Sequence, residues 1–243
     1  VFPELSVTGA TCGDLFHQSL LLKGAEQGIK TIAEHTRGKS TTVVVGAPAG
    51  MSGKVVPCSF IIRDGEIKGV VPEGENIVCS IEEATVGFSA QSKAHIILCP
   101  SAENELIMTN RRRRLMLESE SLRNTSAYIH VGAGFGESTT DFVHAGAASI
   151  WEVGECLAEN ERFKMEGSLT IADVDIEKIE NLRRASKESY DLPAGYQKIE
   201  AGARCDTDFC KELMRHVQAH PFVPEGELDA RCKEILDIQV AGL

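Results

Sequence analysis

Residues 128–163 read YIHVGAGFGESTTDFVHAGAASIWEVGECLAENERF, and this stretch decides the fold. An apolar run at 127–131 predicts a buried strand. Gly132, Gly134 and Gly136 then predict a turn, followed by the polar tetrad Glu137-Ser138-Thr139-Thr140. Residues 148–153 read as a second strand, Gly154-Glu155 as a tight turn, and 156–159 as its antiparallel partner. A dinucleotide loop is excluded. The spacing G-x-G-x-G is one residue short of the nucleotide fingerprint, and a turn rather than a helix follows it. A phosphate there would meet Glu137 and Asp141 with no nearby lysine or arginine.

The same residues carry a resemblance. The series Gly134-x-Gly136-Glu137-Ser138-Thr139-Thr140-Asp141, then Trp151-Glu152-x-Gly154-x-x-Leu157-Ala158-Glu159-x-Glu161-Arg162-Phe163, is ordered over about thirty positions, too long for chance. It resembles the glutaminase domain of glutamine-dependent NAD synthetases, carbon-nitrogen hydrolases of the nitrilase superfamily. That resemblance implies an α/β fold, a four-layer α-β-β-α sandwich, here incomplete. The first strand and helix of the family, and a central segment, are expected to be missing.

Composition agrees with a folded α/β chain. It has 243 residues, 42% hydrophobic and only 5% aromatic, so aliphatic side chains must fill the core. A net charge of -11 argues against nucleic acid or an anionic membrane as partner, and is otherwise ordinary solubility. The eight cysteines form no C-x-x-C pair, and Cys205 and Cys210 have no matching histidine spacing, so free thiols are expected rather than a metal site. With no signal peptide or long apolar run, the expected setting is the cytoplasm. Val1 in place of a methionine suggests a piece of a longer chain.

Outward from the central stretch, residues 1–5 (VFPEL) read as a strand end entering a loop, with Glu4 at the carboxyl edge where open α/β sheets build sites. By itself Glu4 reads as a solvated loop acid. Residues 20–35 have helical apolar spacing, and 42–46 form a buried strand. Residues 60–71 read as a hairpin on Asp64-Gly65. Residues 77–79 end in Cys79, and a helix-like stretch then leads to a strand at 94–98. Asn110 reads as the cap of a helix running to about 127, opening with Arg111, Arg112, Arg113 and Arg114. A four-arginine run invites an anion site, but cations in a first turn oppose the helix dipole, which favours a structural or interface role. Residues 168–174 read as a strand, Asp175 as the cap of a helix with Ile176, Ile179 and Leu182 inward, and 192–203 as loop. Residues 228–243 read as a last helix with one apolar face.

The resemblance assigns roles to matching positions. Glu4, in F-P-E-L-x-x-T-G, stands where the family has the general base. Cys79 is the counterpart of the nucleophile by position, or else a half-buried structural thiol. Ser101, in Cys99-Pro100-Ser101-Ala102-Glu103-Asn104-Glu105, stands in the glutamine-pocket motif. Three features depart from the family: Ala10 replaces a pocket tyrosine, Glu103 a serine, and Glu73 the oxyanion-stabilising lysine after Pro72. The implied function is glutamine amide hydrolysis supplying ammonia for NAD biosynthesis, impaired here. The alternative is an inactive nitrilase-like module with an assembly role. The expected domains are a glutaminase part, 1–202, and a helical linker, 203–243, which includes the HPFVP of residues 220–224 and leads toward a synthetase domain. ATP and deamido-NAD would belong to that domain, leaving no cofactor on this chain. The expected partners are glutamine, the synthetase domain and further copies of the chain.

Overall fold

The structure, a computed structural model, describes residues 1–81, 84–138, 140–202, 213–217 and 228–242. It begins with an irregular segment and helix α1 (Ser19–Thr36), then strands β1 (Val43–Met51), β2 (Lys54–Arg63) and β3 (Glu66–Pro72). These three strands form an antiparallel sheet in sequence order. Its hairpins turn on Ser52-Gly53 and Asp64-Gly65, all four residues with positive φ. That left-handed pair matches the twist of the flanking strands. The second hairpin follows the sequence reading. The first does not, because β1 runs on five residues beyond Gly46 to Met51.

A second sheet has the order β10-β4-β5-β6-β7-β8-β9. Its strands are β4 (Ile77–Ile81), β5 (Ala84–Gly87), β6 (Ile96–Ser101), β7 (Ala127–Gly132), β8 (Ala148–Glu152), β9 (Glu155–Glu159) and β10 (Gln197–Gly202). Strands β5, β6 and β7 are parallel neighbours, and β10 runs parallel to β4 at the edge. Helix α2 (Thr109–Arg123) crosses over between β6 and β7, and α3 (Ile176–Ala185) follows β9.

Consecutive apolar residues explain the layering. Successive side chains of a strand point to opposite faces, so a strand buried on both faces needs an unbroken apolar run. In the small sheet, Val44, Ile61 and Val71 pack against Cys79, Val86 and Leu98 of the large sheet. Their neighbours Val45 and Ile62 turn the other way, onto Ile29 and Ala33 of α1. In the large sheet, Val78 and Ile97 face away from the small sheet and meet Leu117 of α2, with Tyr128 and Trp151. The result is α1, small sheet, large sheet, α2: the four-layer α-β-β-α sandwich expected. Helix α3 is tied to the loops entering β6 and β7, where Arg183 donates to the carbonyls of Lys93, Ala94 and Thr125.

Several local expectations give way. The stretch 192–203 is not loop; its last part is β10, whose Ile199 and Ala201 pack into the core between the sheets. Residues 168–174 form no strand. The helix-like stretch after Cys79 contains β5, antiparallel to β4, and a short 3-10 turn at Ala90–Ser92. The β8–β9 turn is Val153-Gly154, one residue earlier than expected, because Glu155 already pairs with Glu152. Met108 rather than Asn110 stands at the N-terminal boundary of α2, and its side chain makes no capping hydrogen bond. Asp175 does cap α3, accepting from the Lys178 N–H at 2.8 Å, but the enclosed side chains are Ile179 and Arg183 while Leu182 is exposed. Helix α4 (Leu228–Ala241) buries none of its residues. Cys205, Cys210 and the 220–224 link lie outside the described residues.

Candidate active site

Glu4 is delivered to the site by backbone contact, not by a strand. The Phe2 N–H donates to Val44 O and the Val7 N–H to Gly46 O, which lays residues 2–7 along β1. This needs glycine at 46. A Cβ there would lie 2.4 Å from Leu5 N and 2.7 Å from Pro3 O. Leu5 itself takes a left-handed φ of 54°.

Past Glu4, the chain is fastened by the motif that first marked the fold. The Glu137 carboxylate accepts from the Ala10 N–H at 2.9 Å, the Thr11 N–H at 3.2 Å and the Thr11 hydroxyl at 2.8 Å. The Ser138 N–H donates back to Thr11 Oγ1. A carboxylate gathering backbone donors makes charge-assisted bonds, about twice as strong as neutral ones. The glycines of this loop allow a close crossing: a Cβ on Gly134 would sit 2.9 Å from Gly146 Cα.

The second half of the motif is also scaffold. Glu152 is fully enclosed and accepts from Lys178 Nζ at 2.8 Å, Arg215 Nη2 at 3.0 Å and the Asp175 N–H at 2.7 Å. Burial alone would push its carboxyl up, but those three donors outweigh it and hold the group below the usual carboxylate range. Glu159 pairs with Arg114, and Arg114 also lies over the Trp151 ring. Arg162 and Arg113 both donate to the buried Glu105, at 3.0 and 2.9 Å. The arginine run therefore serves structure at Arg113 and Arg114, as expected.

What this scaffold surrounds is a cavity of about 720 Å³ at the edge of the space between the sheets. Its walls include Glu4, Gly46, Pro57, Cys58, Val71 and Glu73, and across from them Phe88, Leu98, Cys99 and Tyr196. The size, and walls that set apolar side chains beside converging polar ones, are those of a small-molecule site. Burial raises the Glu4 pKa, the Glu73 charge raises it further, and a hydrogen bond from the Ala102 N–H partly opposes both. A carboxyl raised in this way, on the wall of a cavity, is a candidate for proton transfer.

The three expected site residues do not converge. Glu4 lines the cavity. Cys79 is fully enclosed between the sheets among Val44, Ile61, Val71 and Leu98, and is not part of the wall. Burial pushes its thiol up to about 12. Ser101 lies at the end of β6, and its hydroxyl accepts from the Glu103 N–H at 3.1 Å. Beside it, Cys99 and Pro100 line the cavity and the Ala102 N–H reaches Glu4. The thiols on the wall are Cys58 and Cys99, the latter also pushed by burial up to about 12. Sequence reading missed both, since a cysteine within an apolar strand carries no local signal of which wall it faces. It also missed the Glu137 clamp, whose partners are 126 and 127 residues away.

No protein-family model matches the chain. Among curated proteins it is similar to the glutamine-dependent NAD(+) synthetase of Mycobacterium bovis, 29% identical over 304 residues, with all of this chain and 45% of that protein covered. The chain thus spans less than half the length of the curated relatives it matches. Since 304 matched positions face 243 residues, the relative has at least 61 positions that this chain lacks, which agrees with an internal deletion. Among solved structures, the glutamine-dependent NAD(+) synthetase from Cytophaga hutchinsonii matches with a TM-score of 0.63 at 20% identity, over 70% of this chain and 35% of that one. An amidase of the nitrilase superfamily from Nesterenkonia AN1 matches with a TM-score of 0.60 at 15% identity, over 76% of this chain and 82% of that one. The chain is therefore homologous along its whole length to part of the glutamine-dependent NAD(+) synthetases, and it has the fold of the nitrilase superfamily.

Proposed function

We propose that the chain is a glutaminase-type amide site, related to the part of NAD synthetase that supplies ammonia, in which the hydrolytic step is impaired. The observation that carries this reading is the position of Glu4. It is a half-buried carboxyl of raised pKa on the wall of a cavity sized for a small amide, in a chain homologous throughout to glutamine-dependent synthetases. Glu4 would act as base toward a nucleophile and then toward water. Two features support impairment. Cys79 is enclosed away from the wall, and Glu73 follows Pro72 where the resemblance calls for a cationic oxyanion donor. Loss of one such donor costs about 10²–10³ in rate. Glutamine as substrate, a synthetase domain as partner and assembly into oligomers belong to the same proposal.

The test is ammonia release from glutamine by the purified chain, beside an intact relative. The expected rate is at least about 10³-fold lower, at the upper end of single-donor loss. A rate comparable with the intact relative's would refute impairment. A second reading, a module with no turnover that serves only in assembly, is favoured by the enclosure of Cys79 alone. Residual ammonia release that disappears in Glu4→Gln would exclude it.

A further inference from the structure

We propose that Glu73 biases the charge of the ligand at this cavity, so that among small amides it prefers those carrying an ammonium group without a free carboxylate and holds glutamine less tightly. The inference rests on the reading of the Glu4 cavity as an amide site and adds to it a substrate class.

The charged groups on the wall are Glu4, Glu73 and Glu75, and among the described residues no lysine, arginine or histidine joins them. Lys68, the closest lysine in sequence to Glu73, is paired with Glu66 on its own strand. Neither Glu73 nor Glu75 forms an ion pair among the described residues. Their turn is held in place. The Glu73 N–H donates to Pro57 O at 3.0 Å, the Glu75 N–H donates to Pro72 O at 3.2 Å, and Gly74 takes the positive φ that the bend requires. Glu73 is close enough to Glu4 for its charge to bear on the Glu4 carboxyl. Two acids lining one site, with no cation among the described residues of its wall, favour a ligand that brings one.

The rest of the wall fits the remainder of such a molecule. Val71, Phe88 and Leu98 offer apolar contact to a short aliphatic stem, and Asn76, Gln91 and Tyr196 offer neutral hydrogen-bonding groups to a carboxamide. Glutamine itself presents an ammonium and a carboxylate together, and the carboxylate would meet the acids. Glutaminamide has the same side-chain amide and a net positive charge. Glutaramate has the amide and a net negative charge.

Binding of these three compounds, read by calorimetry at low salt without any need for turnover, tests the inference. Glutaminamide is expected to bind at least about tenfold more tightly than glutamine, with glutaramate weakest, because like charges set together are strongly disfavoured. Added salt should narrow the gap. Glu73→Gln should reduce the preference several-fold. Glu73 is exposed and only its backbone holds the turn, so this variant should fold, and thermal melting checks that it does. Glutamine binding as tightly as glutaminamide, or a preference that survives Glu73→Gln unchanged, overturns the charge inference and leaves the amide-site reading standing. Failure of all three compounds to bind overturns both.

Discussion

Replacing Cys79 by serine and by alanine distinguishes a core thiol from a thiol on a reactive wall. Cys79 is fully enclosed, with Val44, Ile61, Val71, Val86, Leu98 and Ala201 around it. Cys79→Ala removes one sulfur atom and leaves a void of about methyl size, which costs about 1 kcal/mol. Cys79→Ser nearly preserves the volume but places a hydroxyl among apolar side chains. An unpartnered buried polar group costs about 1–3 kcal/mol. Serine is therefore expected to be the worse replacement, at about 2 kcal/mol, or roughly 4–8 °C in melting temperature for a domain of this size. The pH dependence has a definite sign. Burial holds the folded thiol's pKa up at about 12, above its unfolded value, so its stabilising contribution is complete while both states are protonated. That contribution is lost as pH rises from about 8.5 toward the folded value, at about 1.4 kcal/mol per pH unit. The gap between wild type and Cys79→Ala should accordingly narrow in alkali. Urea unfolding across pH reads all of this, and iodoacetamide mapping of the native protein adds a kinetic check. If Cys79→Ser is as stable as Cys79→Ala, or if Cys79 is labelled as fast as the exposed Cys232, solvent reaches the thiol and the core assignment fails.

Two further outcomes follow from the scaffold. Glu152→Ala should cost about 3 kcal/mol, the lower end for a broken buried pair because Lys178 is partly exposed and can rehydrate; since the folded carboxyl lies below its unfolded value, that difference should be full above about pH 4.3 and fade as acid protonates the group, in urea titrations at neutral and acid pH. Gly46→Ala should displace residues 3–5, because the new Cβ would lie 2.4 Å from Leu5 N; faster hydrogen exchange at Phe2 and Val7, whose amides bond to β1, and loss of amide binding at the cavity are expected, and unchanged exchange would refute the close approach.

How far the sequence reaches depends on the range of the interaction. The hairpin at Asp64-Gly65 was legible because its information lies in two adjacent residues that tolerate positive φ. The cap at Asp175 was legible because its partner is three residues away. The apolar runs gave the buried strands, and the order of glycines and acids over 134–163 gave the resemblance. Strand β10 was not legible. Residues 197–202 alternate weakly, and only their place beside β4, with Ile199 and Ala201 against the core, makes them a strand.

The site divides in the same way. Sequence by itself determined that Glu4 stands in the F-P-E-L-x-x-T-G order that carries the resemblance, and that Glu73 follows Pro72 where that resemblance calls for a lysine. Tertiary structure alone decided that those two carboxylates share one cavity, brought together by Gly46 and by the turn pinned to Pro57. It also decided that Cys79 turns toward the core while Cys58 and Cys99 reach the wall. The physical reason is that a side chain's chemistry is local to its residue, whereas burial, neighbouring charge and the face a strand presents are set by segments far apart in the chain.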